Sequence, residues 1–270
     1  MDDLRKLQLI DLEILIEVDR VCKENNINFF MIGGTLLGSI RNKGFIPWDD
    51  DIDIAMNRED YDKFLALSSN VLDSKYKIIN FKTDENYHYY ITRVANKKTK
   101  VVEIRNKNLN ETTFASIDIF PIDGTPNNYF LRNIYYFRIM YRRALMALCY
   151  KKNIDQTRKR GFFEKLFLKI VLLLPIDKIF SPNIQKIKID NLLKKQKVEN
   201  SQKIGTIMGA YRIKEIVPKS FFGEGKLYEF EGYYFNGPEK ADEYLTHMYG
   251  DYMTPPAEND RKTHYEVINI

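Results

Sequence analysis

A chain of 270 residues is long enough for one large domain, or a domain with an appended lobe, around a sizeable core. Hydrophobic residues at 44% and charged residues at 29% describe an ordinary soluble globular protein, and two cysteines, Cys22 and Cys149, exclude a disulfide framework or a four-thiolate zinc site. A net charge of +5 and a pI near 8.9 suit an anionic partner: a nucleotide, a phosphorylated glycan or a lipid surface.

The first segment places Leu4, Leu7, Asp11, Ile14, Val18 and Val21 near helical spacing, with Leu15 and Cys22 broadening the stripe, so it predicts an amphipathic helix packed on a sheet. Acids interrupt its apolar residues, which argues against a secretory signal, and the two cysteines fit a reducing, cytoplasmic setting. Phe29 to Ile32 then reads as a short buried strand, and Gly33-Gly34-Thr35 as a sharp turn into a helix from Thr35 to Arg41. The free N–H groups at that helix start would face a phosphate, with Arg41 and Lys43 adding positive charge.

Asp49, Asp50, Asp51 and Asp53 follow, and four carboxylates in five positions repel strongly enough to require a cation, a water-filled cleft or both. On a strand, the period of two puts Asp49, Asp51 and Asp53 on one face and Ile52 and Ile54 in the core. Carboxylates two apart on a strand can share one or two Mg²⁺. Asn57 reads as the N-cap of a helix from Arg58 to Leu67, with Tyr61, Phe64 and Leu65 inward.

From Lys75 to Phe120 short alternating runs predict strands at Tyr76 to Phe81, Tyr89 to Val94, Val101 to Ile104 and Ala115 to Phe120. In the last, Asp118 stands between Ile117 and Ile119. Alone it reads equally as a solvent-facing edge residue, but beside an Asp-x-Asp site it is the expected third carboxylate. Asp123, in Asp-Gly-Thr-Pro, reads as a turn residue.

Residues 127 to 200 read as mainly helical and basic, an insertion that covers the active site and helps select the acceptor. Phe130 to Tyr150 carries Ile134, Phe137, Tyr141, Leu145 and Leu148 at helical spacing among four arginines, and Lys151 to Arg160 forms a basic loop. Gly161 to Pro175 is the most hydrophobic run, too short and too interrupted to span roughly 30 Å of hydrocarbon. It reads as a core helix or as a peripheral contact with an anionic membrane. Ser181-Pro182 starts another helix. Strands return between Ile204 and Phe235, a helix runs from Pro238 through Tyr249, and Gly250 caps it ahead of a stiff turn, Arg261 and His264. The scattered His88, His247 and His264 make no zinc site, so hard oxygen ligands point to Mg²⁺ or Mn²⁺. No Walker A loop, serine elbow or nucleic-acid motif is present, which leaves ATP hydrolysis, esterase chemistry and nucleic-acid partners unsupported.

Strand, Gly-Gly-Thr, helix and an Asp-x-Asp strand is the order in which nucleotidyltransferase-fold enzymes build their metal site. Gly33 to Gly38, Arg41, Gly44 to Asp53, Ile117 to Asp123, Tyr249 to Met253, Pro255-Pro256, Arg261 and His264 together resemble the signature of the LicD phosphocholine transferase family, to which the fukutin-related phosphotransferases are distantly similar. The resemblance spans nearly the whole chain. It implies an α/β (α+β) fold: a nucleotidyltransferase-like mixed sheet flanked by helices, with a catalytic core over 1–126, the helical basic insertion over 127–200, and strands, helix and tail over 201–270 completing the core.

It further implies that Asp51 and Asp53, with Asp49 and Asp118, hold the metal, with Asp49 or Asp50 adjusting the site's charge. Asp118 would complete the metal site or take the acceptor hydroxyl's proton, while Gly33, Gly34, Thr35, Arg41 and Arg261 hold phosphates. The implied donor is CDP-choline. Its phosphocholine would pass to a sugar of a cell-surface glycan, teichoic-acid or lipopolysaccharide precursor, lipid-linked or free, releasing CMP, at the cytoplasmic side of the membrane. Trp48 with Tyr87, Tyr89 and Tyr90 would form an aromatic cage for the quaternary ammonium. Three alternatives stay open: another CDP-alcohol (ribitol, glycerol, ethanolamine), a nucleotidyltransferase releasing pyrophosphate, and a scaffold without turnover.

Overall fold

A computed structural model describes residues 2–67, 71–104, 112–150, 179–261, 263 and 265–269. His264, the basic loop at 151–160 and the apolar run at 161–175 lie outside the described residues. The chain forms two compact units, one of Met1–Thr125 with Lys197–Ile270, the other of Pro126–Gln196.

The first unit is built on a mixed sheet that, among the described residues, has eight strands. Its spine runs β1 (Phe30–Met31), β2 (Asp53–Asn57), β5 (Thr112–Gly124), β4 (Thr92–Glu103) and β10 (Tyr265–Asn269); β3 (Tyr76–Ile79) pairs with β4, and β6 (Lys203–Gly205) joins β5 to β7 (Ile216–Pro218). Only β2 and β5 run parallel among the described pairings. A separate hairpin of β8 (Lys226–Phe230) and β9 (Tyr233–Gly237) turns through Glu231 and Gly232, both at positive φ.

Helix α1 (Asp3–Glu24) starts where the Asp2 carboxylate accepts the Arg5 N–H at 2.8 Å. It buries Ile14, Leu15, Val18 and Val21 in the main core with Ile54, Ile117 and Ile119 of the sheet. Helices α2 (Gly33–Asn42), α3 (Arg58–Ala66) and α6 (Ala241–Tyr249) complete the unit. The mixed sheet flanked by helices is the α/β class that the sequence pattern predicts.

Several local expectations need correction. The two strands expected at Tyr89 to Val94 and Val101 to Ile104 are one strand, β4, whose register slips between Ala95 and Lys100. The polar stretch between the two apolar runs is absorbed as a bulge rather than a turn. Asp123 is not a turn residue: it lies buried in β5, where Arg58 donates to both its oxygens at 2.7 and 2.6 Å, and that paired cation is what allows a strand to carry a carboxylate there. Asn57 precedes α3 but makes no side-chain cap. Of the strands expected between Ile204 and Phe235, the first, β6, ends at Gly205, after which the chain turns through a Gly209 N–H to Thr206 carbonyl bond of 2.7 Å.

In the second unit α4 (Tyr129–Cys149) and α5 (Pro182–Leu193) pack together. Asn128 caps α4 by accepting from the Phe130 and Leu131 N–H groups, and Ser181 caps α5 ahead of Pro182. Among the described residues no helix is long and apolar enough to cross a membrane.

Candidate active site

Three adjoining strands carry one row of charge. Asp53 on β2 is in register with Asp118 on the parallel β5, and Arg93 on β4 is in register with Asp118 from the other side. Ile54, Ile117 and Ile119 are fully buried. The strand period therefore turns Asp53 and Asp118 to the opposite face. The Asp-x-Asp segment and the lone Asp118, read separately from the sequence, are brought side by side.

Backbone hydrogen bonds fix this row. The Asp118 N–H donates to the Ile52 carbonyl at 2.9 Å and the Ile32 N–H to the Asp53 carbonyl at 3.1 Å. The Asp53 N–H donates to Thr35 Oγ1 at 2.8 Å, so the buried Thr35 hydroxyl positions the start of β2.

Helix α2 begins two residues earlier than its sequence suggests, at Gly33, because the glycines form its first turn rather than a turn before it. Gly33 sits at φ +56, and a Cβ there would stand 3.1 Å from Asp53 Oδ2; one at Gly34 would stand 2.6 Å from Asp49 Oδ2. Only glycine lets the helix start this close to two carboxylates. The N–H groups of that first turn lie at the positive end of the helix, and the Gly33 backbone also bonds Tyr244.

The other acids lie off the strand, because β2 begins only at Asp53. Asp49 and Asp51 therefore precede the strand, where its period of two does not fix their direction. Asp50 is buried and accepts the Tyr265 N–H at 2.7 Å, while the Asp49 carbonyl accepts from Gln8 Nε2 at 2.8 Å. Helix α1 and strand β10 thus both hold the aspartate loop.

Burial pushes the Asp53 carboxyl well above the ordinary carboxylate range, and the charges of Asp51, Asp118, Asp49 and Glu215 push it further. Asp11, on the buried face of α1, is raised in the same way by burial and by Asp51, Asp50 and Asp118, and its Oδ1 is buried without a hydrogen-bond partner. Among the described residues no three acidic, histidine or cysteine side chains already stand together in metal-ligand geometry. The fit to a cation therefore rests on the donors: hard carboxylate oxygens are the kind that suit Mg²⁺ or Mn²⁺.

This electrostatic state has a measurable sign. An unfolded aspartate titrates near ~4. Between that pH and the raised value of folded Asp53, the metal-free folded chain keeps a proton that the unfolded chain gives up, so stability falls as pH rises through that window. Thermal melts without divalent ions are expected to decline from acid toward neutral pH. Mg²⁺ at about 100-fold over its Kd raises the melting temperature by about 5–10 °C at neutral pH and much less near pH ~4. A Mg²⁺ shift that is the same at both pH values would remove the carboxylate cluster as the binding site.

Arg93 was not among the residues the sequence singled out. It is 3% exposed and bonds Asp118 Oδ1 through Nε at 2.8 Å, Glu103 Oε1 at 2.9 Å and the Tyr265 hydroxyl at 3.1 Å. Burial works against its charge, but Asp118, Tyr265, Tyr87 and Glu103 outweigh that and raise it above its ordinary value. Oδ2 of Asp118 is the oxygen that Arg93 leaves open. A lone arginine in an alternating apolar run was the available signal.

Arg41 and Arg261 converge on Trp48, their guanidinium carbons 5.9 and 4.4 Å from its ring centroid. Arg41 also donates to the Tyr252 carbonyl at 3.0 Å, and Arg261 to the Pro256 carbonyl at 3.2 Å. The expected aromatic cage is divided. Trp48 meets these arginines, Tyr89 meets Arg93 at 4.6 Å with Tyr87 edge-on to it, and Tyr90 stacks on Phe81. Guanidinium groups hold faces that a quaternary ammonium would need.

The C-terminal part adds residues with no local sequence signal. Buried Glu215 accepts from the Tyr211 N–H at 2.7 Å and bonds the Thr206 hydroxyl, and Tyr211 packs edge-on against Tyr249. The Tyr249 hydroxyl lies 3.8 Å from where a Gly33 Cβ would stand.

Residues 26–164 match the family model described as LicD/FKTN/FKRP, nucleotidyltransferase domain. The chain is 30% identical over 268 residues to the lipopolysaccharide cholinephosphotransferase LicD of Haemophilus influenzae, covering 97% of this chain and 96% of that protein. A shorter stretch of 66 residues is 33% identical to an uncharacterized protein of Rickettsia typhi, covering 24% of this chain and 21% of that one.

Proposed function

The chain belongs to the LicD/FKTN/FKRP nucleotidyltransferase family, and from that premise we propose that it is a phosphotransferase moving phosphocholine from CDP-choline to a sugar hydroxyl of a lipopolysaccharide, teichoic-acid or related cell-surface glycan precursor. The observation that carries the reading is the pairing of Asp53 with Asp118 beneath the glycine start of α2, in a chain similar along its length to a cholinephosphotransferase.

Asp51 and Asp53, with Asp49, would hold Mg²⁺ or Mn²⁺, which when bound neutralises charge on the donor diphosphate. The first-turn N–H groups of α2 and the Arg41 and Arg261 guanidinium groups bind the phosphate oxygens. Asp118 Oδ2 takes the proton of the acceptor hydroxyl as its oxygen attacks the choline-bearing phosphorus. The new phosphorus–oxygen bond forms as the bond to the bridging oxygen breaks, and CMP leaves with the electron pair. Arg93 keeps Asp118 oriented through the reaction. The reading sets the reaction in the cytoplasm, at the inner face of the membrane.

Arginines hold faces of Trp48 and Tyr89, so a choline site would be built from other residues, and CDP-ribitol, CDP-glycerol or CDP-ethanolamine is the second reading. The test is incubation with Mg²⁺, glycan acceptors and a panel of CDP-alcohols and CTP, following CMP and pyrophosphate. CMP with CDP-choline alone is expected. CMP with another CDP-alcohol moves the donor, pyrophosphate from CTP makes the protein a nucleotidyltransferase, and neither product overturns the transfer reading.

A further inference from the structure

On α4 Phe130, Ile134, Phe137 and Tyr141 recur at helical spacing, and they are 73%, 57%, 70% and 51% exposed. The opposite side of the helix buries Tyr135 and Ile139. One large apolar side chain in water is ordinary, but a stripe of four over about three turns marks an interaction surface. Ile184 and Ile187 of α5 are also half-exposed.

Beside the stripe, Arg138, Arg142, Lys188 and Lys195 line a groove of about 370 Å³ together with Phe137 and Tyr141, and no acidic side chain is among its described lining residues. The helix itself carries four arginines and no acid from Tyr129 to Cys149.

We propose that this face of the second unit rests on an anionic phospholipid surface. Phe130, Ile134 and Phe137 enter the boundary between headgroups and acyl chains, and the four cations meet lipid phosphates. Charge complementarity selects this occupant. A second copy docked about a two-fold axis would set the same cations against one another, whereas a membrane offers apolar depth and negative charge in adjoining layers. With 21 residues and arginines along its length, α4 lies in the surface rather than crossing it. The element differs from the run at 161–175 to which the sequence pointed, and the proposal does not depend on the transfer reaction.

Flotation of the full-length protein with phosphatidylcholine vesicles and with phosphatidylglycerol-rich vesicles tests it. Binding to the anionic vesicles is expected to exceed that to the neutral ones by about tenfold or more, and to fall as salt is raised. The pair Ile134→Ser with Phe137→Ser lowers binding to both. The pair Arg138→Glu with Lys188→Glu abolishes the preference for anionic lipid, with the melting temperature unchanged in both variants. Equal binding to the two vesicles, or a charge-reversed variant that keeps the preference, overturns the proposal. So does a wild-type dimer that the serine variant converts to a monomer without vesicles, since the stripe then belongs to a second copy.

Discussion

Asp53→Asn is expected to lower Mg²⁺-dependent transfer by about 10³-fold or more while raising the melting temperature of the metal-free protein. The substitution keeps the size and one acceptor oxygen of the side chain and removes its charge. Burial and the charges of Asp51, Asp118, Asp49 and Glu215 all work against an ionised Asp53, so the neutral variant loses a cost that the native chain carries until a cation arrives. Asp118→Asn should lower transfer as severely but lower the melting temperature too, because Arg93 then bonds a neutral partner. Rates of CMP release beside thermal melts separate the two. Turnover within tenfold of wild type for Asp53→Asn would remove it from the chemistry.

The second large effect belongs to a residue that touches no substrate. Arg93→Met leaves Glu103, which is 5% exposed, and Asp118 without the guanidinium that bonds both. Breaking a buried ion cluster by removing one partner costs about 3–5 kcal/mol, because the remaining charges stay buried. Equilibrium urea unfolding should show that loss, with a melting temperature lower by about 10 °C or more. The double variant Arg93→Met with Glu103→Gln should recover part of it, since it removes one stranded charge. A loss under about 1 kcal/mol would mean that water reaches the cluster.

The sheet and its acidic row were legible because they rest on short-range patterns: the alternation around Asp53 and Asp118 and the glycine pair before a helix. What stayed hidden is long-range. Arg93 and Glu215 are single charges whose partners lie on other elements, and no spacing along the chain announces them. Asp123 misled because Asp-Gly-Thr-Pro carries turn chemistry, whereas Arg58 across the fold supplied the partner that keeps it in a strand. Asp49 and Asp51 were read onto the strand because the residues from Ile52 to Met56 alternate, yet electrostatic repulsion within the run and the bonds from Gln8 and Tyr265 favour a loop.

The single parallel pairing among the described strands also orders the assembly of the site. Strand β4 meets β5 as an antiparallel neighbour, and Arg93 and Asp118 are only 25 positions apart. Strand β2 can reach β5 only after a helix and two strands have been laid down between them, a longer loop closure with a higher entropic cost. Loop closure, by about 1 kcal/mol, favours the Arg93–Asp118 contact forming first. The most repulsive contact in the sheet would then close against a carboxylate whose charge is already answered.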